Sequence, residues 1–141
     1  ILPDGQIVDG ITAEKSFDKP GVYIAELWTT DEDGRKDVDF YNVRVFTASA
    51  PEGSIPTIFM THYPTNNIVV NQAVFFRFWL QGAQDKPVKV DFGDGTIIDD
   101  YVSYSEIRHS FKSPGIHIIT TSGTIDGKSI MQKQKVVVSL R

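Results

Sequence analysis

Phe92-Gly93-Asp94-Gly95, then Ser110-Phe111-Lys112-Ser113-Pro114-Gly115, then Asp126-Gly127 and Val136-Val137-Val138 punctuate the second half of this 141-residue chain. The same marks stand earlier in the same order: Leu2-Pro3-Asp4-Gly5, Ser16-Phe17-Asp18-Lys19-Pro20-Gly21, Asp33-Gly34 and Val43-Arg44-Val45. Asp4 and Asp94 are 90 residues apart, Pro20 and Pro114 are 94 apart, and the last two pairs are 93 apart. A period near 90 is too long for a helical solenoid unit and suits a small β-domain used twice. The copies share turn residues and apolar spacing, not a reactive set, so the repeat reads as scaffold.

Outward from these corners, apolar residues alternate with polar ones in short runs and helical periodicity is nearly missing. The second copy predicts strands near Thr57–His62, Val74–Leu80, Val88–Phe92, Thr96–Ile98, Ile107–Phe111, Ile116–Ser122 and Met131–Ser139. The first predicts strands near Lys15–Phe17, Val22–Thr29 and Asp37–Phe46. Within Val74–Leu80, alternation sends Val74, Phe76, Phe78 and Leu80 to the core and leaves Phe75, Arg77 and Trp79 on the other face. In Val22–Thr30, Tyr23, Ala25 and Leu27 share one face; Ile24, Glu26 and Trp28 share the other. Pro20-Gly21 and Pro114-Gly115 suit turns in which Pro fixes φ and Gly takes φ > 0. Asp4-Gly5, Asp94-Gly95 and the hairpin turn at Asp31-Glu32-Asp33-Gly34 follow the Asp-Gly rule.

The expected fold is all-β: immunoglobulin-like β-sandwiches in tandem. Residues 1–47 read as the C-terminal part of a first domain, 48–54 as a linker, and 55–141 as a complete second domain. The short connector through Pro51 should limit relative motion. The first copy opens at the equivalent of Asp94, so about 39 residues that should precede it are expected elsewhere, and the chain reads as a fragment. Half a sandwich exposes apolar faces and unpaired edges. Residues 1–47 are therefore expected to borrow strands from a neighbour or to add to the second domain's sheets.

A net charge of −4 argues against a nucleic-acid surface, because phosphate binding needs clustered Lys and Arg. The chain has no cysteine, which removes disulfides, thiol catalysis and Cys-based zinc sites. No apolar run approaches the roughly 20 residues a transmembrane helix needs, so no membrane insertion is expected.

Val90-Asp91-Phe92-Gly93-Asp94-Gly95-Thr96, His109-Ser110-Phe111 with Pro114-Gly115, and Asp126-Gly127 before a Val-rich last strand resemble a PKD (polycystic kidney disease) domain. Copy one is similar over Leu2–Gly5, Lys15–Tyr23 and Thr30–Gly34. It departs at Leu2-Pro3, where the family favours aromatic-Gly, and at Lys15, where copy two has His109; His117 stands where the family usually places Tyr. The resemblance implies a non-catalytic extracellular or cell-surface module, expected to be bacterial, acting as a spacer or protein-contact domain beside other domains of a parent protein. It also implies an alternative, a carbohydrate-binding module attached to a secreted glycoside-active enzyme. No cofactor is expected, although the resemblance allows a calcium site, which some members carry.

Several constellations have plainer explanations than chemistry. Asp91-Phe92-Gly93 matches the kinase metal-binding tripeptide, but no glycine-rich loop, strand lysine or His-Arg-Asp loop accompanies it. Asp91, Asp94, Asp99 and Asp100 crowd one turn and the loop after it, unlike a glycosidase pair facing across a cleft. Asp31–Asp37 faintly resembles a calcium loop, yet Arg35-Lys36 bring positive charge into it. His109 is expected to tie its strand to the Asp94-Gly95 turn, since it cannot pair with adjacent Ser110 across a strand. No catalytic or metal-ligating residue is expected. The candidate ligand-binding residues are Phe75, Trp79 and Trp28, large aromatics placed on outer faces where a sugar ring or a partner could stack.

Overall fold

The computed structural model describes residues 1–51 and 55–141, so part of the expected linker, residues 52–54, lies outside the described residues. These residues hold ten strands and no helix: the chain is all-β. It divides into two compact units, Ile1–Ile55 and Pro56–Arg141.

In the first unit β1 (Gly21–Thr30) and β2 (Lys36–Val45) form an antiparallel hairpin in unbroken register from Gly21 opposite Val45 to Thr30 opposite Lys36. Asp31 closes it. Its Oδ1 accepts from the backbone N–H of Asp33 and of Arg35, both at 2.9 Å, which is an Asx-type turn made by the side chain itself. The Arg35 guanidinium donates to Asp31 Oδ2 at 2.7 Å and to Asp33 Oδ2 at 2.9 Å, so the carboxylates of the calcium-like loop hold a cation that the chain supplies. Lys15–Phe17, expected as a strand, is not one. A strand needs a ladder partner; this segment is held instead by side chains, Lys15 on Asp4 and Phe17 against Tyr23. Among the described residues β1 and β2 make a two-stranded sheet.

The second unit carries eight strands in two sheets. One is β3 (Thr57–Tyr63), β5 (Val74–Gln81) and β8 (Ile107–His109), in the order β3-β5-β8. The other comprises β4 (Ile68–Val69), β6 (Val88–Asp91), β7 (Ile97–Tyr101), β9 (Gly115–Ile125) and β10 (Lys128–Ser139), in the order β4-β10-β9-β6-β7. Every pair is antiparallel except β4, which runs parallel to the end of β10. The two-residue β4 had no periodicity to announce it.

Alternation along β5 is strict. Val74, Phe76, Phe78 and Leu80 are fully buried, each worth roughly 1.5–3 kcal/mol before entropy. They meet Val88 and Val90 of β6, Ile119 of β9, and Val136 and Val138 of β10 in one core, so the two sheets pack face to face like a sandwich. Phe76 is the hub: its ring lies near those of Phe78, Phe92 and Phe111, edge-on to the last two.

β8 pairs only with Val74–Phe76, which would leave the backbone of Phe78 and Leu80 without a ladder partner on that side. Side chains replace it. The Tyr101 hydroxyl accepts from the Phe78 N–H at 2.9 Å and can donate to the Phe78 carbonyl at 3.0 Å or to that of Ser105. Ser103 Oγ accepts from the Leu80 N–H at 3.1 Å, and the Tyr104 N–H donates to the Phe78 carbonyl at 2.9 Å. Burial accordingly pushes the Tyr101 phenol above its ordinary pKa, with the Phe78 hydrogen bond opposing.

Candidate functional site

The corner residues converge in the second unit on a cleft of about 480 Å³. Gly93, Asp94 and Thr96 come from the β6–β7 turn; Arg108, His109 and Lys112 from β8 and the loop after it; His117 from β9. Asp91 Oδ1 accepts from the Gly93 N–H at 2.8 Å, and Asp94 Oδ1 from the Thr96 N–H at 3.1 Å, so the kinase-like tripeptide folds as a carboxylate-capped turn. Phe92, its middle residue, is fully buried in the core. Gly93 has φ 75° and presses against β9: a Cβ placed there would lie 2.5 Å from the Ile118 carbonyl oxygen. Gly95, also left-handed at φ 95°, faces open space. The other expected turn residues Pro114 and Gly115 lead directly into β9, as Pro20 and Gly21 lead into β1, while Asp4 and Gly5 lie in a turn.

His109 does tie its strand to this turn. Its Nε2–H donates to Asp94 Oδ2 at 2.7 Å, with the two side chains 11% and 15% exposed. The imidazole stacks on Phe92, 4.2 Å between centroids, and meets Phe111 edge-on. Burial pushes the Asp94 carboxyl up, but the hydrogen bonds from His109 and the Thr96 N–H outweigh it and hold its pKa below the ordinary value. His117 stacks on Phe111 at 4.4 Å and donates from Nε2 to the Ser113 carbonyl at 2.8 Å.

The first unit repeats this arrangement with other side chains. Lys15 pairs with Asp4, whose Oδ1 accepts from the Gln6 N–H, and these bonds lower the Asp4 pKa. Phe17 packs on Tyr23 at 4.5 Å, and the Tyr23 hydroxyl donates to the Lys19 carbonyl at 2.7 Å. Lys15, Phe17, Lys19 and Tyr23 precede His109, Phe111, Ser113 and His117 by 94 residues each. The departures noted in the sequence, Lys15 for His109 and His117 for Tyr, thus carry the same two bonds. A shared role for Lys and His as nitrogen donors to the turn carboxylate, and for Tyr and His as donors to a carbonyl four residues back, escaped sequence reasoning because it pairs unlike side chains.

The three aromatic candidates divide between the two units. Trp28 belongs to β1 of the first unit; it is 47% exposed and its Nε1–H donates to Glu26 Oε2 at 3.1 Å. Phe75 and Trp79 share the outer face of β5. Trp79 lies between Phe59 and Tyr104 in three near-parallel rings, with centroids 5.4 and 5.8 Å apart, so neighbours cover both of its faces. Tyr104 is 54% exposed and holds a left-handed backbone at φ 69°, unusual for a bulky residue. Phe75, 38% exposed, stands opposite exposed Tyr63 of β3 and opposite Arg108 of β8. Tyr63 and Phe59 could have been found, since odd positions of Thr57–Tyr63 face outward when Ile58 faces in. Tyr104 sits in a loop and gave no periodic signal.

Among the described residues no group of three or more His, Asp or Glu side chains could hold a metal ion, and no helix is long and apolar enough to cross a membrane. No known protein-family model matches the chain.

Proposed function

We propose that this chain is made of two PKD-like, immunoglobulin-like β-modules in tandem that act as a non-catalytic spacer or protein-contact element of a secreted or surface multidomain protein. One observation carries the reading: the same corner, a turn carboxylate bonded to a side-chain nitrogen donor beside an aromatic pair with a bond to a carbonyl four residues back, recurs in both units. In each copy the turn carboxylate, its nitrogen donor and the donor to the carbonyl four residues back have their hydrogen bonds met within the corner, which is what a scaffold requires of buried or half-buried polar atoms. The parallel pairing of β4 with the last strand, beside a first strand in the opposite sheet, also suits an immunoglobulin-like topology. Single-molecule stretching of the whole chain tests this. A spacer should resist extension until the second unit gives way in one cooperative event. Gradual lengthening at low force, or turnover of polysaccharide, peptide or ester substrates by the purified chain, would contradict it.

A second reading, carbohydrate binding, is favoured by the exposed Phe75 and Tyr63 side by side on the outer face of the three-stranded sheet. Trp79, with both faces engaged, would then act as a support for that face and the sugar would rest on Phe75. Affinity electrophoresis of Phe75→Ala and Trp79→Ala against a glycan panel separates these roles.

A further inference from the structure

The cleft of the second unit carries two cations that its own architecture does not use. Arg108 and Lys112 line it, both exposed, and neither has an ion pair or hydrogen-bond partner among the described residues. The matching positions of the first unit, 94 residues earlier, are Glu14 and Asp18. The same corner therefore assembles with either sign of charge at these two places. Charges that the scaffold tolerates in both signs are free to serve a ligand.

We propose that this cleft binds the carboxylate of an acidic sugar residue, with Arg108 and Lys112 as its counter-charges. The proposal rests on the carbohydrate reading above. A guanidinium matches a carboxylate in two parallel hydrogen bonds, and a nearby ammonium adds a mobile point charge. The neighbourhood selects a sugar. Register places Tyr63, Phe75 and Arg108 in line across three strands, so exposed rings lie beside the guanidinium on one face. A uronate presents this pair of surfaces: a flat, C–H-rich ring face for stacking and a carboxylate at its rim. An acidic peptide would bring carboxylates but no C–H-rich ring face for Phe75 and Tyr63 to stack on. The overall charge of −4 limits the preference to short or sparsely charged ligands.

Isothermal titration of the whole chain with trigalacturonate, with neutral galactotriose and with penta-aspartate as separate probes tests this. Trigalacturonate should bind, more weakly as salt rises. Arg108→Glu with Lys112→Asp, which writes the first unit's charges into the second, should weaken it by about tenfold or more. Phe75→Ala should weaken it without changing the salt dependence. Should the charge-reversed protein fail to show the wild-type circular dichroism, Arg108→Gln with Lys112→Gln gives the same test with less perturbation. Galactotriose bound as tightly as trigalacturonate would overturn the carboxylate assignment and leave the carbohydrate reading standing. Absence of binding to both sugars would end both. Penta-aspartate bound as tightly as the uronate would overturn the sugar assignment.

Discussion

Replacing Gly93 and Gly95 one at a time by alanine isolates a steric contact from a backbone preference. Both residues take a left-handed φ, 75° and 95°, which costs a residue with a Cβ about 1–2 kcal/mol. At Gly95 nothing lies within 4 Å of the added methyl, so Gly95→Ala should stop near that figure. At Gly93 the methyl would fall 2.5 Å from the Ile118 carbonyl oxygen, well inside contact distance. That oxygen cannot withdraw cheaply, because Ile118 is laddered to Lys135 of β10 in the unbroken register between β9 and β10. Forcing a methyl into such a place adds about 1–3 kcal/mol, so Gly93→Ala should cost about 3 kcal/mol in all. For a unit of this size each kcal/mol moves the melting temperature by about 4–8 °C. Urea denaturation of both variants, followed by Trp79 fluorescence in a Trp28→Phe background, measures the difference. Equal losses for the two glycines would refute the claim that the turn is pressed onto β9.

Phe76→Ala, emptying the hub of the core, should destabilise the second unit by about 3–5 kcal/mol in the same denaturation assay. Tyr101→Phe removes one oxygen, yet it leaves the buried Phe78 N–H unpaired; a loss of about 2 kcal/mol is expected, with faster amide exchange at Phe78 by NMR. Asp94 makes the second unit sensitive to acid. Its folded pKa is depressed, so its contribution is present in full above the unfolded value of about 3.9 and fades as pH falls through the folded one. Asp94→Asn should flatten the loss of stability below about pH 4 relative to the parent, measured by denaturation at stepped pH; an unchanged slope would show that the pair with His109 does not hold the charge.

What was legible in the sequence was whatever repeats at short range. The period of two in Val74–Leu80 assigned every inward residue of β5, and Asp-Gly at 33–34 placed the first hairpin. The tie between His109 and the Asp94-Gly95 turn could be anticipated because adjacent Ser110 points to the opposite face of the strand. Pairings at long range were silent. Ile68-Val69 is too short to show a period, and its partner lies some 70 residues on. Tyr101 and Ser103 looked like ordinary loop polar residues; their value comes from the unmatched backbone of a strand more than 20 residues away. Lys15–Phe17 alternates as a strand does, but alternation states only which face a residue would take if a ladder existed. The faces of β1 separate poorly for a related reason. In a two-stranded sheet Leu27 and Trp28, neighbours on opposite sides, are both exposed.

The hydroxyls that Tyr101 and Ser103 lend to β5 have a consequence for how copies of this protein meet one another. Stacking into fibrils and swapping of strands both begin where a long row of backbone amides stands open to a passing chain. Along that flank of the three-stranded sheet the row is already taken, and what continues it is a strand only three residues long. Crowded molecules tethered in series would find no template there, and that guard costs the fold a single short loop.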